Sequence, residues 1–203
     1  MSRDATLIVS ATYDDSNPDW YAALPEPKVR WSTAEGGHPS QALIRAYRED
    51  HRRHRAYLLL QDSLEPMVDD VVTPFEEAAK SFNNGRGTPV VGWANFDLTS
   101  SRSWDSAEQK AHVERQYPYI QTPAFGIFGP IFWVERKVLE RLDKIGRFPA
   151  IPQDKMDAQG TERAWAYAFA LIGITPTFLH PWSNEFLKSG DALPFKKHFA
   201  GRT

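Results

Sequence analysis

The chain of 203 residues is 41% hydrophobic and 13% aromatic, which is enough apolar material for one domain with a full core. Its formal net charge of −2 excludes the strongly basic footprint of a general nucleic-acid-binding protein, and the absence of cysteine excludes disulfides and thiolate metal sites. No run approaches the roughly 18 apolar residues that span a bilayer, and Met1–Asp4 lacks the apolar core of a signal peptide. We therefore expect a single cytoplasmic domain without a membrane partner.

The first part of the chain predicts alternating strands and helices. Thr6–Thr12 is β-branched and apolar, and Lys28–Thr33 is typical of a second strand. A helix is then predicted to begin with Pro39 in its first turn or with Ser40 as its cap. Tyr57–Leu60 is apolar throughout, as expected for a buried strand. This order of elements is typical of the opening of a nucleotide-binding α/β domain.

A further helix is predicted from Thr73, because Thr73-Pro74-Phe75-Glu76 is a capping box with proline at the first helical position. After a strand at Pro89–Ala94, residues 97–122 show no clear period and predict a functional loop or lid. The remaining predicted elements are a strand interrupted by glycines at 125–133, a helix with Val134, Val138, Leu142 and Ile145 inward and Gly146 as its end, a helix at Thr161–Ile172, a short strand at Thr175–His180, and a polar, basic tail.

Carboxylates follow two of the predicted strands. Asp14 and Asp15 come after the first strand, and Asp62 comes directly after the buried Tyr57–Leu60 strand. Open α/β sheets bind ligands outside the carboxyl ends of their strands, where carboxylates accept hydrogen bonds from ribose hydroxyls. Asp14 and Asp15 fit a plain turn equally well, and Asp62 fits a solvated loop. The basic run His51–Arg55 is predicted to be a solvated helix end, with a patch for a phosphate-bearing acceptor as the alternative.

Three stretches resemble one family, the GT-A class of sugar-nucleotide-dependent glycosyltransferases. The segment 36–42, Gly-Gly-His-Pro-Ser-Gln-Ala, followed by a charged helix and by Tyr57–Asp62, resembles the approach to the acidic metal motif of that class. Gly129-Pro130 before an Arg/Lys-rich helix resembles its acceptor-side segment, and Gly160–Trp165 resembles the acidic helix start that often carries its base. The resemblance implies a single GT-A-like, Rossmann-like α/β domain over residues 1–203, with a mixed, mostly parallel central sheet flanked by helices.

The resemblance also implies an activity, the transfer of a sugar from a nucleotide sugar, most readily a UDP-sugar, to an acceptor hydroxyl. Residues 1–95 would bind the donor and residues 96–203 the acceptor. In this class a divalent metal, Mn²⁺ or Mg²⁺, bridges the donor diphosphate to an Asp-x-Asp triplet. Here the triplet is Gln61-Asp62-Ser63 or Asp62-Ser63-Leu64, so one carboxylate is missing and metal dependence is open.

The resemblance assigns roles to individual residues. The predicted general base is Glu162, with Asp157 as the reserve, and a single base with no obvious nucleophile predicts inversion. An acid in the first turn of a helix is also favoured by the helix dipole alone. The predicted donor-binding residues are Asp14, Asp15, Gln41, Arg45, Asp62, Lys196 and Lys197. The predicted metal ligands are Asp62, His180 and His198. The predicted acceptor-binding residues are Trp104, Tyr117, Tyr119, Gly129 and Trp133.

Two other functions fit the same residues. The weakened triplet at Asp62 is compatible with a non-catalytic module that binds nucleotide sugars or glycans, and the predicted fold is also compatible with a nucleotidyltransferase. The acceptor of a transferase is open among a glycan, a protein side chain, a small molecule and a hydroxylated DNA base. A lone histidine at a strand end, such as His180, is also commonly structural.

Overall fold

A computed structural model of the protein describes residues 5–12, 19–32, 38–50, 53–61, 64–81, 87–129, 131–150, 155–180, 191–192 and 194–197. The strands are β1 (Thr6–Thr12), β2 (Lys28–Ser32), β3 (Ala56–Gln61), β4 (Leu64–Pro66), β5 (Val90–Phe96), β6 (Gly126–Ile127), β7 (Phe132–Glu135), β8 (Thr177–His180), β9 (Asp191–Ala192) and β10 (Phe195–Lys197). The helices are α1 (Asp19–Ala23), α2 (Pro39–Glu49), α3 (Thr73–Ser81), α4 (Ala107–Gln116), α5 (Arg136–Lys144) and α6 (Lys155–Leu171).

The main sheet of the described residues has the order β2-β1-β3-β7-β5, with β6 and β8 both pairing with β5. β1 is parallel to β2 and β3, and β5 is parallel to β8. β7 is antiparallel to β3 and β5, and β6 is antiparallel to β5. Five strands therefore run in one direction and β6 and β7 run in the other. The prediction of an α/β fold with a mixed, Rossmann-like sheet is confirmed.

β3 is buried along its whole length because helices cover both faces of the sheet at its centre. Tyr57 and Leu59 pack into a cluster with apolar residues of α2, α5 and α6. Leu58 and Leu60 point to the other face and pack with residues of α3. A strand covered on both faces has no polar side, which explains its unbroken apolar sequence.

The end of the described chain returns to the core. β10 pairs with β4 and β9 in a second, small sheet. Phe195 is fully buried, and its ring centroid lies 6.0 Å from that of Trp93 and 6.3 Å from that of Phe75. The prediction of a polar tail is therefore wrong for Phe195, because this side chain completes the core on the α3 side of the sheet.

The predicted loop at 97–122 is also wrong, because it contains α4. Ser106 caps this helix through its side-chain oxygen, which accepts a hydrogen bond from the Gln109 backbone N–H at 3.1 Å. Only Gln109 and Val113 of α4 are buried. So few inward residues do not produce the apolar period by which a helix is recognised. Val134, which was predicted to lie in the following helix, belongs to β7 instead.

α6 begins at Lys155, six residues before the predicted start at Thr161. Gly160 lies inside the helix, where a Cβ atom would be 3.5 Å from Gln109 Cγ and Val113 Cγ2 of α4. This close packing of α4 on α6 accounts for a glycine within the helix. Glu162 is consequently in the third turn, so the favourable effect of the helix dipole on first-turn acids does not explain it.

Glycine to alanine changes at two positions are expected to have opposite effects on stability. At Gly92 in β5 the new Cβ would lie 2.5 Å from the Phe178 ring, so the variant is expected to lose about 1–3 kcal/mol through overpacking. Gly160→Ala meets only ordinary contacts and removes a helical glycine, so it is expected to gain about 0.5–1 kcal/mol. Urea unfolding measures both. A Gly92→Ala variant as stable as the wild type would show that the Phe178 ring of β8 does not pack closely against Gly92 of β5.

Candidate functional site

The carboxyl ends of five strands meet at one edge of the main sheet. β1 and β3 are adjacent there, and Ala11 and Gln61 form the last register pair between them. The chain passes from β1 to β2 on one side and then to β3 on the other side of β1. This reversal is a topological switch point, at which open α/β sheets bind their ligands. The two predicted acidic segments, at Asp14-Asp15 and at Asp62, follow these two strands in the sequence.

Glu162 reaches the same edge from α6. The Gln61 side-chain Nε2 donates a hydrogen bond to Glu162 Oε1 at 3.3 Å, and Gln61 is the last residue of β3. Gln61 is buried and Glu162 is half-buried. One turn further along α6, Trp165 Nε1 donates to Ser40 Oγ of α2 at 2.7 Å. The predicted base is thus held at the end of β3 by a helix that is itself anchored to α2.

α2 starts at this edge because it follows β2. Pro39 occupies its first turn, as predicted, and His38 precedes it in the N-cap position. His38 is only 8% exposed. His38 was not among the predicted site residues, although a histidine directly before a helix-starting proline is expected at the helix end. His38 is therefore a further residue of interest at the carboxyl edge.

Of the predicted donor-binding residues, Gln41 and Arg45 lie on α2. Gln41 is half-buried in the first turn of the helix. Arg45 lies against β2, with its guanidinium carbon 3.8 Å from the centroid of the Trp31 ring. Its Nε also donates to Glu49 Oε1 at 2.9 Å. The described contacts of Arg45 are thus on the β2 side of α2, whereas Glu162 contacts the end of β3.

A second group of side chains lies beside Glu162. The Arg163 Nε donates to the Ser103 backbone carbonyl at 2.6 Å, and its Nη2 lies 3.3 Å from Asp105 Oδ2. Its guanidinium carbon is 5.7 Å from the Trp104 ring centroid. Trp104 is half-buried and donates its Nε1–H to the Leu98 carbonyl at 2.9 Å. Trp104 therefore lies near Arg163, the residue that follows the predicted base, and its role in acceptor binding stays a prediction.

Two predicted acceptor-binding residues are wrong, because both fill the core. Trp133 is 1% exposed, and its Nε1 donates to Thr6 Oγ1 at 3.0 Å, at the amino end of β1. Tyr117 is 3% exposed and stacks on Tyr167 with 5.9 Å between ring centroids. Burial raises the pKa of the Tyr117 hydroxyl above its usual value. Neither ring has a face open to a sugar or a base.

The other two predicted acceptor-binding residues stay predictions. Tyr119 is 93% exposed, so its ring is accessible to a large acceptor. Gly129 is buried and has a φ of 64°, in the left-handed region that favours glycine. It immediately precedes the segment that leads into β7, whose amino end lies at the carboxyl edge of β3.

The predicted metal ligands are only partly within the described residues. His180 ends β8 and is half-buried, with its ring centroid 6.4 Å from that of Trp93 in an edge-on arrangement. Asp62 and His198 lie outside the described residues, as do Asp14 and Asp15. Within the described ranges, no group of three or more His, Asp or Glu side chains could hold a metal ion. Asp157 in α6 and Lys196 and Lys197 in β10 are described in their backbone only.

The amino edge of β3 carries a different polar cluster. The prediction of a solvated helix end is wrong for His54, whereas Arg53 and Arg55 are exposed and residues 51–52 lie outside the described residues. His54 is 8% exposed, and its Nδ1 lies 2.5 Å from Asp50 Oδ1. Tyr57 donates its hydroxyl to Asp50 Oδ2 at 2.8 Å, and Arg136 of α5 donates to the same oxygen. Burial, and then the bond to Asp50, raise the pKa of the Tyr57 hydroxyl. This buried network ties α2, β3 and α5 together, far along β3 from Gln61.

No protein-family model and no curated protein sequence matches the chain. None of the described helices is both long and apolar enough to cross a membrane. The candidate site is therefore defined by the strand order, by the contact between Gln61 and Glu162, and by the acidic segments that follow β1 and β3.

Proposed function

We propose that the protein transfers a sugar from a nucleotide-sugar donor to an acceptor hydroxyl. The observation that carries this proposal is the 3.3 Å contact between Gln61 Nε2 and Glu162 Oε1. It brings a carboxylate to the end of β3, beside the switch point at which α/β sheets of this kind bind nucleotides. Asp62, the residue that follows Gln61, is the acid that the GT-A resemblance assigns to the donor.

The donor nucleotide would bind between the carboxyl ends of β1 and β3. Asp14 and Asp15 would accept hydrogen bonds from its base and ribose, and Asp62 would contact its ribose or its metal. A bound Mn²⁺ or Mg²⁺ would neutralise the diphosphate as it leaves. UDP-sugars are the first choice of donor. The lysines of β10, Lys196 and Lys197, are the proposed cationic contacts of the diphosphate.

Glu162 would act as the general base. Its carboxylate takes the proton of the acceptor hydroxyl while the acceptor oxygen forms a bond to the anomeric carbon. The bond between that carbon and the phosphate oxygen breaks, and the nucleoside diphosphate leaves with the electron pair, which inverts the configuration. The amide of Gln61 fixes one carboxylate oxygen, so the other can be aimed at the acceptor. The ring of Trp104, whose centroid is 5.7 Å from the Arg163 guanidinium carbon, would offer a surface against which a sugar or base could pack.

A second candidate function is a non-catalytic module that binds nucleotide sugars or glycans. One observation favours it: Asp62 is flanked by Gln61 and Ser63, so the metal triplet has one carboxylate only. A single carboxylate holds a hard cation weakly unless the phosphates of the ligand complete the shell. A nucleotidyltransferase is the third candidate, and it differs in releasing pyrophosphate from a nucleoside triphosphate.

Thermal stabilisation by donors tests the proposal directly. UDP-, GDP- and TDP-glucose, each with and without Mn²⁺, are compared in a melting experiment. A ligand at about 100 times its Kd stabilises the native state by about 2.7 kcal/mol, which corresponds to a Tm rise of roughly 5–10 °C for a chain of this size. At least one sugar nucleotide is expected to produce such a rise.

The other outcomes separate the three candidates. If no sugar nucleotide raises the Tm, the protein does not bind the proposed donor and the transferase proposal is contradicted. A shift without hydrolysis or transfer of the sugar supports the binding module. Nucleoside triphosphates are tested in the same way. A rise in Tm with these ligands alone, accompanied by release of pyrophosphate, supports the nucleotidyltransferase.

A further inference from the structure

An open groove of about 350 Å³ lies between α5 and the segment that follows α6. Its apolar wall consists of Pro89, Val138 and Ile174. Pro89 and Ile174 precede β5 and β8, so the α5 groove is at the amino edge of these strands. It is therefore separate from the carboxyl edge, where Gln61 meets Glu162, and the inference that follows does not depend on the proposed transferase activity.

Three cationic side chains line the α5 groove: Lys137, Arg141 and Lys144. Residues at spacings of four and seven positions share one face of a helix, so these cations form a row along α5 about 10 Å long. Lys137 Nζ lies 2.6 Å from Glu135 Oε2, and Arg141 Nη2 donates to the Ile172 carbonyl at 2.7 Å, which holds the guanidinium at the rim. Glu140 lines the groove and Glu135 pairs with Lys137, so three cations face two carboxylates and the excess is one positive charge.

We infer that the α5 groove binds an acidic amphipathic helix of a partner protein. A row of cations beside an apolar wall is complementary to a helix that carries acidic residues at i, i+4 and i+7 and apolar residues on the adjoining row. The length of the cationic row corresponds to two turns of such a helix. The charges would bring the partner to the groove and set its orientation, and half-buried Pro89 would supply most of the apolar contact.

Two other kinds of ligand fit the groove less well. Val138 is 1% exposed and Ile174 is 8% exposed, so the apolar wall is recessed and a flat anionic bilayer would reach the cations but not the wall. A small amphipathic anion would remain largely hydrated in an open groove, whereas small-molecule pockets bury most of their ligand. A helix brings its own row of side chains into the recess.

A labelled peptide tests the inference. The probe is a fluorescein-labelled, end-capped helix of about 14 residues, long enough to populate the helical state, with glutamates at i, i+4 and i+7 and leucines on the adjoining row. Fluorescence anisotropy is expected to give a Kd of about 1–100 μM, as for weak, specific partners, with binding that weakens as salt is added. Two control peptides carry lysine for glutamate, or asparagine for leucine, and each is expected to bind at least about tenfold more weakly.

A variant of the protein locates the contact. Lys137→Glu combined with Lys144→Glu is expected to weaken peptide binding by about tenfold or more, since it reverses two charges of the row. The matched control combines Lys80→Glu with Lys110→Glu, which changes the net charge equally on α3 and α4 and is expected to leave the Kd within about twofold. Circular dichroism melts establish that both variants are folded.

Four results would overturn the inference: no binding up to about 1 mM peptide, the limit of weak association; equal binding of the lysine peptide; equal binding of the asparagine peptide; or equal weakening by the control variant. Sedimentation with phosphatidylcholine vesicles that contain phosphatidylserine covers the alternative. Vesicle binding that is lost in the Lys137/Lys144 variant, without peptide binding by the wild type, would replace the partner helix with a membrane surface.

Discussion

Replacing Glu162 with glutamine is expected to lower the rate of sugar transfer by about 10²–10⁴-fold while donor binding is unchanged. Glutamine has the shape of glutamate, and its carbonyl oxygen can still accept the hydrogen bond that Gln61 Nε2 donates at 3.3 Å. It cannot accept the proton of the acceptor hydroxyl. The loss should therefore appear in kcat with acceptor, whereas the donor Kd, measured by thermal stabilisation, stays at the wild-type value.

Glu77→Gln is the matched control for this experiment. Glu77 is an exposed glutamate of α3, which packs on the opposite face of the main sheet from α6. The control variant is expected to transfer sugar at the wild-type rate. A Glu162→Gln variant that is as fast as the wild type would remove Glu162 as the base, and Asp157, five positions earlier on α6, would be the next residue to replace.

Replacing Asp50 with alanine is expected to destabilise the fold by about 3–5 kcal/mol, the usual effect of removing one partner of a buried ion pair. The Asp50 carboxylate is the common partner of His54, Tyr57 and Arg136. The Arg136 side chain is only 13% exposed, so its charge would remain buried without compensation. Urea unfolding at neutral pH measures the loss, which is a large part of the 5–15 kcal/mol typical of domains.

Asp143→Ala is the control, because Asp143 also pairs with an arginine, but on the surface. Its carboxylate lies 3.2 Å from Arg48 Nη2, and the two side chains are 38% and 60% exposed. Exposed pairs of this kind contribute about 0–1 kcal/mol, so the control should lose little stability. Equal losses in the two variants would show that burial of the Asp50 network does not set its strength.

Several elements were predictable because their signals are local. The capping box at Thr73–Glu76 marks the start of α3, because a cap depends only on neighbouring residues. The apolar run at Tyr57–Leu60 marks β3, because the whole strand is buried. α4 was missed since only Gln109 and Val113 face the core. The start of α6 was not predicted because glycine lowers the confidence of a helix prediction. Here Gly160 lies inside the helix and packs against α4.

The candidate site shows the same division. Asp62 and Glu162 were both predicted from the sequence, but their neighbouring residues do not indicate that Glu162 lies beside the end of β3. Aromatic residues were the least predictable part of the site. Trp104 and Tyr117 both stand among polar residues, yet the structure leaves Trp104 half-buried and encloses Tyr117.

The sequence by itself determined the class of the fold and the residue types at the ends of β1 and β3, because strand patterns, turns and caps arise from contacts between near neighbours. Only the tertiary structure decided which distant residues meet. Gln61 and Glu162 are 101 positions apart, and Asp50 and Arg136 are 86 positions apart. Such pairs depend on the order of strands in the sheet and on which helix covers which face, and these are properties of the packed chain as a whole.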